Sequence, residues 1–267
     1  MYDLQSVHDF WNTASCGERL YLDNETMASY EAQADMRYSL EPYILSFANF
    51  NAYTNKKVLE IGVGLGADHQ KFAEAGAQLT GIDLTERAVK HVQKRLALFK
   101  LKSNVIQGNA ESLDFQDNTF DLVYSWGVLH HSPNTPRTIT ELYRVLKPGG
   151  VAKVMIYNKY SLVGFMLWLY YALFRLKPFT SLNTIYANHL ESPGTKAYTP
   201  KEARRLFSQF NSVQIKTVLT HGDLLESNVG QKHSQIVIKI AKSLYPRKLI
   251  KRFGTRWGLF MLIHAIK

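Results

Sequence analysis

Short apolar runs and helix-length amphipathic stretches take turns through the middle of this chain. Val58 to Ile61, with Glu60 inside it, reads as a buried strand over 57–63, and Leu79-Thr-Gly-Ile-Asp83 closes a second over 78–83. A helix from about Asp68 to Ala75 lies between them. Thr85 caps a longer helix reaching Lys100, with Glu86 in its first turn. Asn104–Gly108 and Phe120–Ser125 are the third and fourth strands. A helix over Thr138–Leu146 stops at Lys147-Pro148-Gly149-Gly150, a turn that feeds the fifth strand, Val151–Tyr157. Strands alternating with helices predict an α/β fold, a mostly parallel sheet covered on both faces.

The flanks break this rhythm. Residues 1–25 hold His8, Phe10, Trp11, Cys16 and Tyr21 without clean periodicity, and Thr26 to Phe47 reads as one helix kinked at Pro42. Arg37, Tyr38 and Tyr43 on that helix line a pocket or simply pack. After Asn158 comes an insertion, 159–198, then a helix Pro200–Phe210 capped by Thr199 and a strand Val213–Leu219. A second insertion, 221–255, precedes a final apolar strand from Gly258 to Ile266. Two strands in succession without a long helix between them predict a reversed last strand. The expected organisation is one domain over 1–267: an N-terminal cap (1–55), a core (56–158), and two insertions covering the substrate. No internal repeat is present.

Composition adds two things. With 46% apolar and 20% charged residues among 267, the chain is an ordinary folded protein, and the lone Cys16 excludes an internal disulfide. Met1-Tyr-Asp-Leu-Gln lacks the basic and apolar regions of a signal peptide, so a cytoplasmic protein is expected. The formal charge of +10 is uneven: no Asp or Glu follows Glu226, whereas Lys232, Lys239, Lys242, Arg247, Lys248, Lys251, Arg252, Arg256 and Lys267 do. Such a region is a solvated basic surface, or it attracts anionic lipid, a phosphorylated substrate or RNA. Leu162 to Phe174 is uncharged but short of the roughly twenty residues that span a bilayer. It reads as a lid helix, as a helix lying on a membrane surface beside Arg175 and Lys177, or as a buried core helix.

The candidate chemistry sits where the first strand ends. Gly62, Gly64 and Gly66 permit a turn whose backbone approaches a ligand closely, and Asp83 ends the next strand where a carboxylate meets a ribose. Gly62-x-Gly64-x-x-Ala67 also satisfies the relaxed dinucleotide fingerprint, so a nicotinamide or flavin oxidoreductase stays open on this turn alone.

Five segments in order extend the picture: Glu60-Ile-Gly-Val-Gly-Leu-Gly66, Gly81-Ile-Asp-Leu84, Gln107-Gly-Asn-Ala-Glu111, Phe120 to His131 (Phe-Asp-Leu-Val-Tyr-Ser-Trp-Gly-Val-Leu-His-His) and Arg144-Val-Leu-Lys-Pro-Gly-Gly150. Together they resemble the class I S-adenosylmethionine-dependent methyltransferases over residues 56–158. The resemblance implies a Rossmann-like, doubly wound sheet of seven strands with an antiparallel last strand, and S-adenosyl-L-methionine as cofactor. It implies that the glycine turn meets the methionine portion and that Glu60 orients the turn or the ammonium group. Asp83 would hold the ribose, Leu84 would face the adenine, and Asn109, standing where many members carry Asp, would meet the adenine with Ala110. Ser125 and Trp126, ending the fourth strand, would border the cofactor, and Trp11 and Gly17 of the leader would fold over it. His130 and His131 are the candidate general bases, since imidazole titrates near neutrality. No metal is expected.

The function implied is methyl transfer to O, N or C of a small, lipophilic or anionic acceptor; the apolar insertion favours a lipid-like or quinone-like one, with peripheral membrane contact. An RNA methyltransferase is the alternative suggested by the basic C-terminal part, but no RNA-binding module accompanies it, so nucleic acid is not the expected partner.

Overall fold

A computed structural model describes residues 3–226 and 245–267. Its sheet is built from β1 (Lys57–Ile61), β2 (Gln78–Asp83), β3 (Asn104–Gln107), β4 (Phe120–Trp126), β5 (Leu146–Tyr157), β6 (Ser212–Val218) and β7 (Phe260–Ile266). Their order is β3-β2-β1-β4-β5-β7-β6. β1 to β5 pair in parallel, whereas β7 slots between β5 and β6 antiparallel to both. The reversed last strand is therefore present. Strand order turns back at β1, which has β2 on one side and β4 on the other; a crevice opens beyond the carboxyl ends of such strands.

The near-continuous apolar run of β1 follows from burial on both faces. Leu59 and Ile61 belong to a core shared with α7 (Thr135–Val145) and α10 (Pro200–Leu206). Val58, one residue away, points the other way, against Phe72 of α5 (Ala67–Glu74) and Ile44 of α4 (Tyr43–Ala48). The helix α6 (Glu86–Leu98) starts from Thr85, whose hydroxyl accepts from Ala88 N.

Three expectations change at the edges. The helix expected over Thr26–Phe47 is two: α3 (Met27–Leu40), capped by Thr26, and α4. The break falls at Glu41 (φ −129°, ψ 58°), because a residue before proline is pushed out of helical geometry. α7 begins at Thr135 rather than Thr138, since Asn134 accepts from Arg137 N and Pro136 suits a first turn. The leader, aperiodic in sequence, forms α1 (Leu4–Thr13), capped by Asp3, and a single turn α2 (Glu18–Tyr21).

The first insertion holds α8 (Leu162–Tyr171), a 3-10 turn at Leu173–Arg175 and α9 (Leu182–His189). α8 is not a buried core helix: only Gly164 and Leu167 along it are buried. Of the second insertion, α11 (Arg247–Phe253) is described; the expectation for Lys232, Lys239 and Lys242 lies outside the described residues. Among the described residues no helix is long and apolar enough to cross a membrane.

Candidate functional site

The glycine turn leaves β1 with Gly62, Gly64 and Gly66 all at positive φ (80°, 51° and 78°). Their surroundings differ. A Cβ on Gly62 would stand 2.1 Å from Val128 Cγ2, and one on Gly66 2.9 Å from Val92 Cγ2, so these two are fixed by packing. A Cβ on Gly64 would meet nothing within 4 Å. The open side of the turn is thus at Gly64, and its backbone N–H donates to Asp83 Oδ2 at 3.2 Å. Asp83 Oδ1 accepts from Thr85 N (3.0 Å) and Thr85 Oγ1 (2.9 Å), which fixes the carboxylate at the mouth of the turn. A carboxylate held beside an open, side-chain-free backbone fits a ligand carrying vicinal hydroxyls and a zwitterionic end.

Glu60 and Asn109 serve local structure in the described arrangement. The buried Glu60 carboxyl lies 2.8 Å from His69 Nδ1 in α5, with His69 Nε2 2.8 Å from Ser103 Oγ. Burial pushes Glu60 well above the usual carboxylate range and His69 down to about 3, so the pair is neutral and anchors the helix that follows the turn. Asn109 Oδ1 accepts from Glu111 N at 2.9 Å, an Asx turn, and Ala110 packs on the main core. Leu84 is half-buried next to Asp83. Ser125 Oγ donates to Ile61 O, tying β4 to the end of β1.

α5 opens on a second buried carboxylate, Asp68, which nothing in its sequence neighbours announces. Asp68 accepts from Arg37 (Nη2, 2.7 Å; Nε, 3.1 Å), Tyr38 Oη (3.0 Å) and Tyr124 Oη (2.8 Å). Burial opposes its ionisation, but Arg37 and the hydroxyls outweigh that and hold it below the usual range. Arg37 and Tyr38 therefore bind α3 to the start of α5 rather than standing free.

Beyond β4 an aromatic wall continues. Trp126 stacks on Tyr43 (centroids 6.1 Å) and meets Phe260 edge-on (5.8 Å); Phe260 stacks on Tyr157 (5.9 Å), and Tyr157 lies 4.0 Å from the His130 ring. His131 follows at 4.2 Å from His130, and Trp11 of α1 closes over it edge-on at 5.3 Å. The leader is carried there by α6: Asn12 Oδ1 accepts from Arg87 N, Glu18 pairs with Arg87, and His8 Nε2 lies 3.1 Å from Glu86 Oε2. Trp11 thus lies over the histidines; Gly17, at φ 75°, caps α2.

The two histidines are not equivalent. His130 is fully buried, neither ring nitrogen has a hydrogen-bond partner among the described residues, and burial holds it well below its ordinary pKa. His131 Nδ1 lies 2.8 Å from Ser192 Oγ and 3.1 Å from Thr195 Oγ1. Its Nε2 is 3.2 Å from Glu191 Oε2, close but off hydrogen-bond alignment. Tyr157 Oη donates to the same Glu191 oxygen at 2.6 Å. His130, His131 and Glu191 each offer a metal-ligating atom within 4.8 Å of the others, a grouping the sequence did not announce. Trp126 Nε1 donates to Glu41 Oε2 at 3.2 Å, and burial pushes Glu41 up to about 7 although Arg37 pulls it down. Tyr43 Oη, on the same wall, is buried without a partner among the described residues. Glu41, Glu191, Ser192 and Thr195 were missed because their neighbours in sequence carry no signal.

A family model described as a methyltransferase domain matches residues 59–154, from β1 to the middle of β5. Among curated relatives, phthiotriol/phenolphthiotriol dimycocerosates methyltransferase of Mycobacterium leprae is 38% identical over 36% of this chain and 36% of its own length. Sterol 24-C-methyltransferase ERG6B of Gibberella zeae is 34% identical over 39% of this chain and 28% of its own. The matched part is thus about a third of the length of these relatives. A solved S-adenosylmethionine-dependent methyltransferase of Aquifex aeolicus superposes over 100% of this chain and 99% of that one at a TM-score of 0.51 and 12% identity, a likeness of fold. The turn after β1 and the acid ending β2 thus lie within the stretch, residues 59–154, that matches the methyltransferase domain.

Proposed function

We propose that the chain transfers a methyl group from S-adenosylmethionine to a small lipophilic acceptor. The observation that carries this reading is the pairing of Gly64, whose side-chain direction is open, with the Asp83 carboxylate across the ends of β1 and β2. Asp83 would receive the ribose hydroxyls, using the lone pairs left by Gly64 N and Thr85, and Leu84 would lie against the adenine, with Asn109 and Ala110 beyond it. Gly62 to Gly66 would cradle the methionine end, and Ser125 and Trp126 would border it. When bound, the sulfonium supplies an electrophilic methyl and a good leaving group.

The acceptor side is the aromatic wall. Its flat apolar faces suit a lipid-like or polycyclic acceptor, and the two relatives, named for a phthiotriol lipid and a sterol, act on molecules of that kind. At its far end His131 is the proton acceptor we favour over His130, because it alone has polar partners that fix its ring: Ser192 and Thr195 on one nitrogen, Glu191 facing the other. An acceptor hydroxyl reaching the edge of this pair would give its proton to His131 Nε2 as its oxygen takes the methyl, with Glu191 beside the imidazolium so formed. Trp11 and α1 exclude water above.

Calorimetry tests the reading. S-adenosylmethionine should bind saturably, and Asp83→Ala should weaken it about a hundredfold, the loss of two hydrogen bonds to a charged group. Unchanged affinity removes the ribose assignment. Incubation with labelled cofactor and a lipid extract, followed by product mass, then identifies the acceptor.

A further inference from the structure

α8 is apolar on every side, yet it is not enclosed. Gly164 and Leu167 are buried along it, while Phe165 is 53% exposed. The chain then turns outward: Phe174 is 74%, Leu176 91% and Phe179 100% exposed. This exposure is built, not loose. Ala172 O accepts from Arg175 N (3.2 Å) and Lys177 N (2.9 Å), and Leu176 takes a left-handed conformation (φ 57°) that throws its side chain out. Lys177 O accepts from Thr180 N, and Thr180 O accepts from Trp168 Nε1 at 2.9 Å, which closes the loop back onto α8. An ordered loop presenting two phenylalanines and a leucine to water is a cost the fold does not recover by itself.

The surroundings of this tip say what would cover it. No Asp or Glu occurs between Lys159 and Leu190, and Arg175 and Lys177 flank the apolar side chains. α11 repeats the pattern: Leu249 (60%) and Phe253 (62%) are exposed among Arg247, Lys248, Lys251 and Arg252. Both elements are anchored on one short segment, 220–225. The Asp223 side chain accepts from Val163 N at the start of α8; its carbonyl accepts from Tyr245 Oη, and Leu224 O accepts from Arg247 Nε at the start of α11.

We infer that the tip 173–179 and α11 together form a docking surface for an anionic lipid bilayer, the aromatic and leucine side chains entering the headgroup boundary and the basic residues meeting lipid phosphate and carboxylate. Apolar side chains ringed by cations complement a bilayer surface: the tip has no carboxylate in its stretch of chain, and at α11 Glu226 pairs with Lys251 (2.7 Å), leaving Lys248 and Arg252 in excess; a second copy of this basic face would be repelled. The inference stands on these two elements and does not depend on the acceptor assigned above.

The test is co-sedimentation of the full chain with vesicles of phosphatidylcholine alone and of phosphatidylcholine mixed with phosphatidylserine, at low and high salt. The expected result is binding to the anionic vesicles, weakened by salt but not abolished. Phe174→Ser with Phe179→Ser should lower partitioning about a hundredfold, roughly tenfold per side chain, without changing Tm, because both are already in water. Lys248→Glu with Arg252→Glu should remove the preference for phosphatidylserine while leaving the apolar contribution. No binding of the wild type to either vesicle overturns the inference, as does binding indifferent to Phe174→Ser/Phe179→Ser. Sedimentation velocity supplies the remaining outcome: a dimer dissolved by the same double variant, with no vesicle binding, assigns the face to a second copy and overturns the lipid assignment.

Discussion

The two sides of the crevice are assembled in opposite ways. The centre of the side assigned to the cofactor, its ribose and methionine contacts, comes from one stretch, Gly62 to Thr85, whose parts are joined by the next turn of the same chain: Gly64 N to Asp83, Asp83 to Thr85. The side assigned to the acceptor is gathered from Trp11, Tyr43, Trp126, His131, Tyr157, Glu191 and Phe260, which meet only after the sheet has closed and the leader has docked on α6. A local site can be varied one residue at a time with the fold left standing. A gathered site changes whenever any contributing element moves, which is how a common fold takes different acceptors.

The largest effect should come from separating chemistry from cofactor binding on the gathered side. His131→Asn and Glu191→Gln are each expected to lower turnover by about two to four orders of magnitude while S-adenosylmethionine affinity, measured by calorimetry, stays within about twofold. Since the two face each other at 3.2 Å, the double variant should lose far less than the sum. Equal losses of turnover and cofactor affinity would instead make them part of the cofactor side and dissolve the contrast.

The next effect lies inside the local side and sorts its glycines. Gly62→Ala drives a methyl to 2.1 Å from Val128 Cγ2 at a positive φ, and should cost about 2–4 kcal/mol of stability in urea unfolding. Gly64→Ala meets no atom within 4 Å, so it should cost only the ~1 kcal/mol of left-handed backbone yet weaken the cofactor about tenfold or more by filling the space the ligand needs. A Gly64→Ala protein that binds normally would mean the ligand approaches from elsewhere.

This division also explains what could be read from the residues beforehand. The alternation of strands, the reversed last strand and the stretch around Gly62 and Asp83 are written in short-range periodicity and in residue types with narrow backbone meanings. The break at Glu41 was half-written: Pro42 announced a disturbance, but whether a helix bends or ends depends on what the two pieces pack against. The Asp68 network and the Glu191 carboxylate were not legible. An acid at a helix start reads as a dipole partner, and nothing near Asp68 in sequence signals that Arg37, Tyr38 and Tyr124 converge on it. The placement of Trp11 over His131 rests on contacts between α1 and α6 that no single-helix pattern encodes.

The smallest effect is a dependence on pH, and it tests whether the wall's polar edge is as dry as its packing implies. Glu41 lies between Trp126 Nε1 and Arg37, and burial raises its carboxyl from 4.5 to about 7. Between those values the folded protein keeps a proton that the unfolded chain has released, so the contribution of Glu41 to stability falls as pH rises from about 4.5 and levels off above 7, while the neutral His69, lowered to about 3, contributes the opposite slope below 6.5. His8, raised by Asp9 and Glu86, slopes the same way as Glu41, so the wild-type curve alone is ambiguous. The difference between the wild type and Glu41→Gln removes that ambiguity. The neutral amide keeps an acceptor for Trp126 without titrating, so the stability of the variant relative to wild type should climb across that window and then stay constant. A difference that does not change with pH would mean that Glu41 is already ionised beside Arg37 at pH 5. The wall would then carry a fixed negative charge at this end, and a cationic acceptor would suit it better than a neutral lipid.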